Sequence, residues 1–266
     1  MRTIIHSGET SSRLAKQGKR LDNRGLTEYR GPITVETNVA RSAEGSARVQ
    51  IGDTIVMAGV KMSLEKPYND SPDEGGIMIN VELLPLSSPE YEPGPPSMKA
   101  VEVARVTDRG IRESKAIDFK KLCVKKGEKA WFICVDIITL NDAGNLFDAA
   151  SLAAIAALKT TTLRNFDPET GVVDYKSKTD DKLPMLKEPL SITVYKIDNS
   201  LIVDPIKEEE IVFDARLTVA LDKNDTISAM QKGGESPLSI DDVSNIVDIA
   251  LEKSKMLREV LNKSFN

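Results

Sequence analysis

Alternating and continuous apolar runs predict a β-sheet in the first part of the chain. These runs are rich in β-branched residues and occupy residues 33–39, 45–51, 54–62 and 77–86. The pair Gly52-Asp53 indicates a turn between the second and third runs, and four prolines exclude regular structure from residues 87–97. We therefore expect an antiparallel meander that ends in a proline-rich loop.

A second pattern predicts a strand-to-helix joint near the middle of the chain. A continuous apolar run at residues 133–140 is followed by a tight Asn-Asp-Ala-Gly-Asn turn at residues 141–145. An alanine-rich helix is expected beyond the turn, ending near Arg164. Such joints often hold anions, because the first helical turn presents unpaired backbone N–H groups and the positive end of the helix dipole.

The charges around this joint do not suit an anion. Asp142 and Asp148 flank the turn. The sequence carries no Lys or Arg between Lys129 and Lys159, so a phosphate at the joint is expected to meet two carboxylates and no cation. The simpler interpretation of the polar residues is that Asp142 or Asn145 caps the helix.

A helix predicted over residues 98–117 carries a stripe of arginines. Three guanidinium groups recur at spacings of four and three residues and share one face: Arg105, Arg109 and Arg112. Because guanidinium groups match phosphate oxygens bidentately, the stripe is a candidate for binding a row of phosphates. Glu102 and Asp108 lie on the same helix, and an ion-paired solvent face is the alternative interpretation.

Strand signals resume after a polar segment in the second half. Residues 167–189 carry charges of both signs and no apolar period, which predicts a surface excursion. Two hairpins are predicted next, pairing residues 190–197 with 201–203 and residues 211–221 with 226–231. Ser239 then caps a long amphipathic helix that runs to about Lys263, with Asp242 in a variant capping box.

Two charged clusters flank these elements. The acidic cluster lies between the hairpins and comprises Asp204, Glu208, Glu209, Glu210 and Asp214. It could bind magnesium, supply a general acid, or form a charged loop rim. The basic N-terminal arm, about residues 1–30, begins with a short helix near residues 11–17 and is expected to be solvated. The element order as a whole predicts a single α/β domain, residues 1–266, made of two related lobes.

The composition narrows the chemistry further. With 40% hydrophobic residues, the 266-residue chain can bury a core without disulfides or metal. Cys123 and Cys134 lie in or beside apolar runs without a CxxC partner, which indicates reduced core residues of an intracellular protein. His6 is the only histidine, so His-based triads and most transition-metal sites are excluded.

Net charge and hydropathy add two expectations. A formal charge of −5 argues against a surface coated in positive charge, although local basic patches stay possible. The N-terminus lacks an apolar run suited to a signal peptide, and nowhere do 18 uncharged apolar residues follow one another, so we expect a cytoplasmic protein. No GxxxxGK[ST] phosphate loop is present, and no cofactor is expected.

Five segments in combination resemble a known family: RLDNRGLTEYRGPI, GSARVQIGDTIVMAGVK, VELLPLSSPEYEPGPP, DRGIRESKAIDFKKLCV and DPIKEEEIVFDARLTVALDKNDTISAMQKGG. The chain resembles the RNase PH superfamily and is most similar within it to the non-catalytic RNase PH-like subunit of the archaeal exosome. The resemblance covers nearly the whole chain. It implies an α/β fold (α+β, two-layer) of the ribosomal protein S5 domain 2-like type, in agreement with the predicted element order.

The resemblance also implies that this chain is catalytically silent. Catalytic relatives use inorganic phosphate to attack the last phosphodiester of an RNA 3′ end, and hold that phosphate with a glycine, a hydroxyl and an arginine at the joint. Residues 143–148 offer neither hydroxyl nor arginine and add a carboxylate, which would repel the phosphate. Asp214 falls where catalytic relatives carry an acidic residue, and the resemblance implies a supporting role for it beside a partner's active site.

The partners implied by the resemblance form a ring. Three copies of this chain would alternate with three copies of a catalytic RNase PH-like subunit, beneath cap proteins that carry S1 or KH domains. Arg105 and Arg109 would hold single-stranded RNA by its phosphates, with Arg112 as a weaker ligand because Asp108 and Glu113 could pair with it. The alternatives are an active phosphorolytic exoribonuclease that uses the acidic cluster, and an unrelated small-molecule enzyme or kinase on a similar α/β fold.

Overall fold

The first sheet of the computed structural model, which describes residues 10–167 and 172–265, has the strand order β1-β2-β3-β6-β4, with β5 beside β6. Its strands are β1 (Ile33–Thr37), β2 (Gly45–Ile51), β3 (Thr54–Glu65), β4 (Gly76–Leu83), β5 (Cys123–Lys125) and β6 (Lys129–Asn141). The predicted meander is confirmed for β1 to β3, which pair antiparallel. Strand β6 inserts next to β3 and runs parallel to β4, because a helix makes the crossover between β4 and β6.

The second sheet has the order β10-β9-β11-β12 and contains both predicted hairpins. Its strands are β9 (Leu190–Ile197), β10 (Ser200–Val203), β11 (Ala215–Leu221) and β12 (Ile227–Gly234). Strand β11 pairs antiparallel with β9, so the two hairpins share one sheet. The second hairpin starts later than predicted, because the short helix α4 (Lys207–Glu210) precedes it.

A third, two-stranded unit begins in the predicted tail of the alanine-rich helix and extends into the predicted surface excursion. Strands β7 (Thr162–Phe166) and β8 (Val173–Lys182) pair antiparallel, although part of the predicted excursion, residues 168–171, lies outside the described residues. The polar sequence of β8 shows no apolar alternation and therefore gave no strand signal. Arg164, predicted near the end of a helix, lies on β7 instead and its Nε is 2.8 Å from Glu44 Oε1.

The described chain has four helical segments longer than α4: α1 at residues 10–15, α2 (Met98–Glu113), α3 (Leu146–Thr160) and α5 (Ile240–Lys263). Helix α2 ends four residues before its predicted end, at Glu113. The predicted capping box of α5 is confirmed, because the Ser239 side chain accepts from Asp242 N–H at 3.0 Å and the Asp242 carboxylate accepts from Ser239 N–H at 2.9 Å.

The alanine-rich helix α3 lies between the two large sheets. It packs against β2 and β3 on one side and against β9 on the other. Residues 146–158 of this helix are all buried, so it presents no solvent face. A side chain at Gly45 on β2 would collide with Ala157 O and Thr161 Oγ1, so glycine is required for this close contact. The mixed α/β architecture predicted from the element order is confirmed, with α3 at its centre.

The basic arm is docked rather than solvated over its described residues. Arg20 is fully buried, and its Nη2 lies 2.5 Å from Glu209 Oε2. Arg30 Nη2 lies 2.8 Å from Asp204 Oδ1, and Arg24 Nη1 lies 3.3 Å from Asp204 Oδ2. The prediction of a solvated arm is therefore wrong, because the acidic cluster supplies the counter-charges that burial of these cations needs.

The two cysteines are half-buried free thiols rather than core residues. Cys134 lies on β6 two residues from the exposed Asp136, and alternate residues of a strand face the same side of the sheet. The continuous apolar run of β6 concealed this alternation. His6 lies outside the described residues.

Candidate functional site

The turn between β6 and α3 has a backbone that few residues tolerate. Gly144 has φ of +106°, and a side chain there would collide with Pro205 O. Asn145 occupies the N-cap position in the left-handed region, with φ of 56°. Its side chain makes no capping bond and donates instead to Asp148 Oδ2 at 3.1 Å. Asp142 Oδ1 accepts from Gly144 N–H at 3.0 Å, one residue before the cap, so neither predicted capping role is realised.

Cations from distant parts of the chain surround this turn. Lys207 Nζ lies 2.5 Å and Lys99 Nζ 3.4 Å from Asp142 Oδ2, and these two cations hold the pKa of Asp142 below its usual value despite the effect of burial. Arg30 donates to the carbonyl oxygens of Ala143 at 2.6 Å and Gly144 at 3.0 Å. The prediction that no cation lies at the joint is wrong for the folded chain. Lys99 of α2, Lys207 of α4 and Arg30 of the arm all contact the turn. Each of these cations is already bound to a carboxylate or a carbonyl.

A further carboxylate at the turn comes from α4. Glu210 Oε1 accepts a hydrogen bond from Asn145 N–H at 2.7 Å. Glu210 Oε2 lies 3.4 Å from Lys99 Nζ. The sequence identifies Glu210 only as a member of the acidic cluster. It contains no signal that places Lys99 or Lys207 near the joint. Their approach depends on long-range packing.

The remaining carboxylates at the joint are buried completely. Asp148 accepts from Tyr29 Oη at 2.6 Å and from Thr193 N–H at 2.8 Å, with no exposed surface. Burial raises the pKa of Asp148 to about 7, although hydrogen bonds from Tyr29 and Asn145 act in the opposite direction. Asp204 is also fully buried and accepts from Asn145 Nδ2 at 3.0 Å. This network ties the arm to the start of α3.

The raised pKa of Asp148 predicts a pH-dependent stability. A carboxyl group whose pKa is higher in the folded protein than in the unfolded chain binds more protons when folded, so its contribution to the free energy of unfolding falls as pH rises from about 4 to about 7. We expect Asp148→Asn to gain stability relative to the wild type by about 1 kcal/mol per pH unit between about pH 5 and 7. Urea unfolding at several pH values measures this difference.

The exposed Asp241 on α5 provides the matched control. The Asp241→Asn variant should show no gain in stability relative to the wild type as pH rises from about 5 to about 7. A difference between Asp148→Asn and the wild type that stays constant across this range would contradict the assignment of the titrating group.

The arginine stripe on α2 divides into free and paired members. Arg105 is exposed and makes no hydrogen bond or ion pair within the described part of the chain. Arg109 is exposed and donates to the neutral Gln231 Oε1 at 3.0 Å. Arg112 is paired with Asp108 at 2.8 Å, an interaction that raises its pKa. Arg105 and Arg109 are therefore the members available to a ligand.

The acidic residues near the stripe are otherwise engaged. Glu102, a possible partner of the stripe, is ion-paired with the buried Arg216 of β11. Asp108 binds Arg112 with both carboxylate oxygens, at 2.8 and 3.1 Å. The ion-paired solvent face considered from sequence is thus observed for Arg112 alone among the three.

Asp214 lies in a different environment from the turn. Its Oδ2 accepts from the N–H of Asp198 at 2.6 Å, in the turn that joins β9 and β10. It takes no part in the hydrogen bonds of Asp142, Glu210 or Asp148 at the joint. The local geometry gives Asp214 a hairpin-stabilising contact.

The described residues also bear on metal binding and on membrane insertion. Among residues 10–167 and 172–265, no group of three His, Cys, Asp or Glu side chains is arranged to hold a metal ion. None of the helices in the same part of the chain is both long and apolar enough to cross a membrane.

Comparisons with known proteins agree on one family. The family model described as 3′ exoribonuclease family, domain 1 matches residues 29–164, and the model described as domain 2 of that family matches residues 187–253. Exosome complex component Rrp42 of Methanocella arvoryzae is 47% identical over 248 residues, which cover 93% of this chain and 92% of that protein.

Solved structures give the same result. A chain of the Archaeoglobus fulgidus exosome with RNA bound to the active site matches with a TM-score of 0.89 and 42% identity, covering 97% of this chain and 99% of that chain. A chain of an archaeal exosome core matches with a TM-score of 0.85 and 38% identity, covering 98% of both chains.

Proposed function

Because the chain belongs to the 3′ exoribonuclease (RNase PH) family, we propose that it is a non-catalytic, RNA-guiding subunit of an archaeal exosome. In this role it would work in the cytoplasm and support the active site of a catalytic RNase PH-like paralogue. The proposal rests on the joint between β6 and α3, where every nearby cation among the described residues is already bound to a carboxylate or a carbonyl.

Phosphorolysis needs a bound phosphate that is free to attack the RNA. At this joint the phosphate would approach Asp142 and Glu210, whose charges are balanced by Lys99 and Lys207. A dianion added to this balanced set would find no unpaired cation within the described part of the chain. Both carboxylates would repel it, at a cost of several kcal/mol where water is excluded. The joint therefore favours a silent subunit.

The partners we propose are those of a ring of three heterodimers. This chain would alternate with the catalytic paralogue, beneath cap proteins that carry S1 or KH domains. The strands β4 and β12 lie at the edges of their sheets and pair on one side only in the described chain, which leaves hydrogen-bonding groups that a neighbouring subunit could cover. Helix α3, which packs against both large sheets, supports the prediction of a single RNase PH-like domain.

The RNA ligands we propose are the free members of the stripe. Arg105 and Arg109 lie one helical turn apart on α2, and neither has a carboxylate partner in the described chain. Such a pair suits two phosphates of a single strand without reading its bases. Arg112 would contribute less, because its ion pair with Asp108 must be broken first.

The purified chain alone is expected to release no nucleoside diphosphate from poly(A) RNA in the presence of phosphate and magnesium. The physical reason is that the described cations at the joint, Lys99, Lys207 and Arg30, are already bound to carboxylates or carbonyls. Thin-layer or chromatographic detection of ADP measures this, and the mixed complex with the catalytic paralogue is the positive control. ADP release that persists through repurification and exceeds a no-enzyme blank would contradict the proposal.

For Asp214 we propose a supporting role through the β9–β10 turn. Asp214→Ala is expected to lower the phosphorolysis rate of the mixed ring by less than about tenfold, whereas removal of a catalytic carboxylate from the paralogue should cost about a hundredfold or more. Initial rates of the two mixed rings measure the difference. Equal losses would place Asp214 in the active site itself.

A further inference from the structure

A carboxylate of the chain itself lies at the positive end of helix α3. Glu210 Oε1 accepts hydrogen bonds from Asn145 N–H at 2.7 Å and from Tyr195 Oη at 3.3 Å. Glu210 Oε2 lies 3.4 Å from Lys99 Nζ. A backbone N–H, a phenol and an ammonium group thus converge on one anion. The same set of donors is suited to a small tetrahedral oxyanion.

The protonation of these donors is fixed by their surroundings. Burial alone would lower the pKa of Lys99, but the carboxylates of Glu210 and Asp142 raise it well above its usual value. Burial raises the pKa of Tyr195 well above its usual value, and the nearby charge of Glu210 adds to this effect. Lys99 therefore stays charged and Tyr195 keeps its proton across the physiological range. Both are therefore donors to Glu210 in the folded chain.

Asp142 and Glu210 are both ion-paired with Lys99, and Asp142 is also ion-paired with Lys207. Asp142 keeps Lys207, whose Nζ lies 2.5 Å away, as its own counter-charge. Removal of the Glu210 carboxylate would therefore leave Tyr195 and the Asn145 N–H without their acceptor. Two cations, Lys99 and Lys207, would then share the single carboxylate of Asp142. The site that opens is already lined with donors.

We propose that this arrangement is a closed oxyanion site, in which Glu210 stands where a free inorganic phosphate or sulfate would otherwise bind. The inference deepens the proposed silent role of the subunit and rests on it for the choice of phosphate as the probe. The turn lacks the phosphate ligands of catalytic relatives. In addition, the Glu210 carboxylate already occupies the donors that are present, which are Asn145 N–H, Tyr195 Oη and Lys99 Nζ. Removal of Glu210 opens the site to phosphate and does not by itself create an active enzyme.

The test is the response of thermal unfolding to phosphate in the purified full chain. Glu210→Ala is expected to gain about 3 °C in Tm when phosphate is raised to about ten times its Kd, while chloride at the same ionic strength has no such effect. The wild type should show no phosphate-specific gain. Glu208→Ala, which removes a carboxylate two residues away on the same short helix, is the matched control and should behave as the wild type.

Two additional variants make the result decisive. Lys99→Met in the Glu210→Ala background should abolish the phosphate response, because it removes the cation of the site. Glu210→Gln keeps the shape of the side chain and removes only its charge, so it should show a phosphate response between those of the wild type and the alanine variant. It also provides the comparison if the alanine variant does not fold.

Equal phosphate responses in the wild type and in the folded Glu210 variants would overturn the inference. Assays of ADP release on the same proteins distinguish a failure of the closed oxyanion site from a failure of the proposed silent role. Phosphorolysis by the wild-type chain would refute the silent role, whatever the phosphate response of the variants. A silent wild type with an unresponsive Glu210→Ala variant would refute the closed oxyanion site alone.

Discussion

Replacing Arg105 and Arg109 together by glutamate is expected to weaken binding of single-stranded RNA to the assembled ring by at least about a hundredfold, because two charge-assisted contacts are lost. Each contact to a phosphate of a single strand contributes about 0.7 to the log–log dependence of affinity on salt, so the slope should fall by about 1.4. Base preference should not change, because contacts to phosphates carry no sequence information. Binding of labelled RNA measured from low to moderate salt tests all three results.

The control for this experiment reverses two other exposed charges. Lys66→Glu with Lys126→Glu makes the same change in net charge but leaves the stripe intact, and its salt slope should match that of the wild type. The ring that contains the double Arg105 and Arg109 variant should still assemble, and a measurement of its mass tests this. A lower melting temperature together with an unchanged salt slope would mean that the stripe stabilises the fold and does not bind RNA.

Arg20→Leu is expected to lower the free energy of unfolding by about 3–5 kcal/mol, because it leaves the Glu209 carboxylate buried without its counter-charge. The double variant Arg20→Leu with Glu209→Leu should lose much less than the sum of the two single variants, since no uncompensated charge remains buried. Urea unfolding of the four proteins completes the cycle.

The surface pair Lys16 and Asp198 gives the matched comparison for this cycle. Their charged atoms are 3.6 Å apart and the side chains are 61% and 34% exposed, so Lys16→Ala should change the stability by less than about 1 kcal/mol. Additive losses in the Arg20 and Glu209 cycle would show that the two side chains contribute separately and that their buried contact does not stabilise the docked arm.

The parts of the fold that the sequence predicted correctly depend on short-range signals. The hairpins β9–β10 and β11–β12 are apolar runs separated by polar turns of a few residues. The start of α5 is specified by Ser239 and Asp242, which are three residues apart. Strand β8 lacked such a signal, because its polar residues give neither face an apolar character.

The candidate site depended on contacts that no short window contains. Arg20 and Glu209 are separated by 189 residues, so nothing near either residue indicates that it is buried. No Lys or Arg lies between Lys129 and Lys159 in the sequence, yet Lys99 and Lys207 reach Asp142 from other elements. A joint unsuited to phosphate remains a prediction, and its physical reason changes from a lack of cations to their engagement by carboxylates.

The docked arm also sets an order of events during synthesis of the chain. Arg20 and Arg30 leave the ribosome early, whereas their partners Glu209 and Asp204 are made 189 and 174 residues later. At about 5–20 residues per second, the arm waits about 10–40 s for its counter-charges. A translation product that stops before residue 204 lacks both counter-charges of the arm, so closure of the arm marks a chain that has been translated past Glu209.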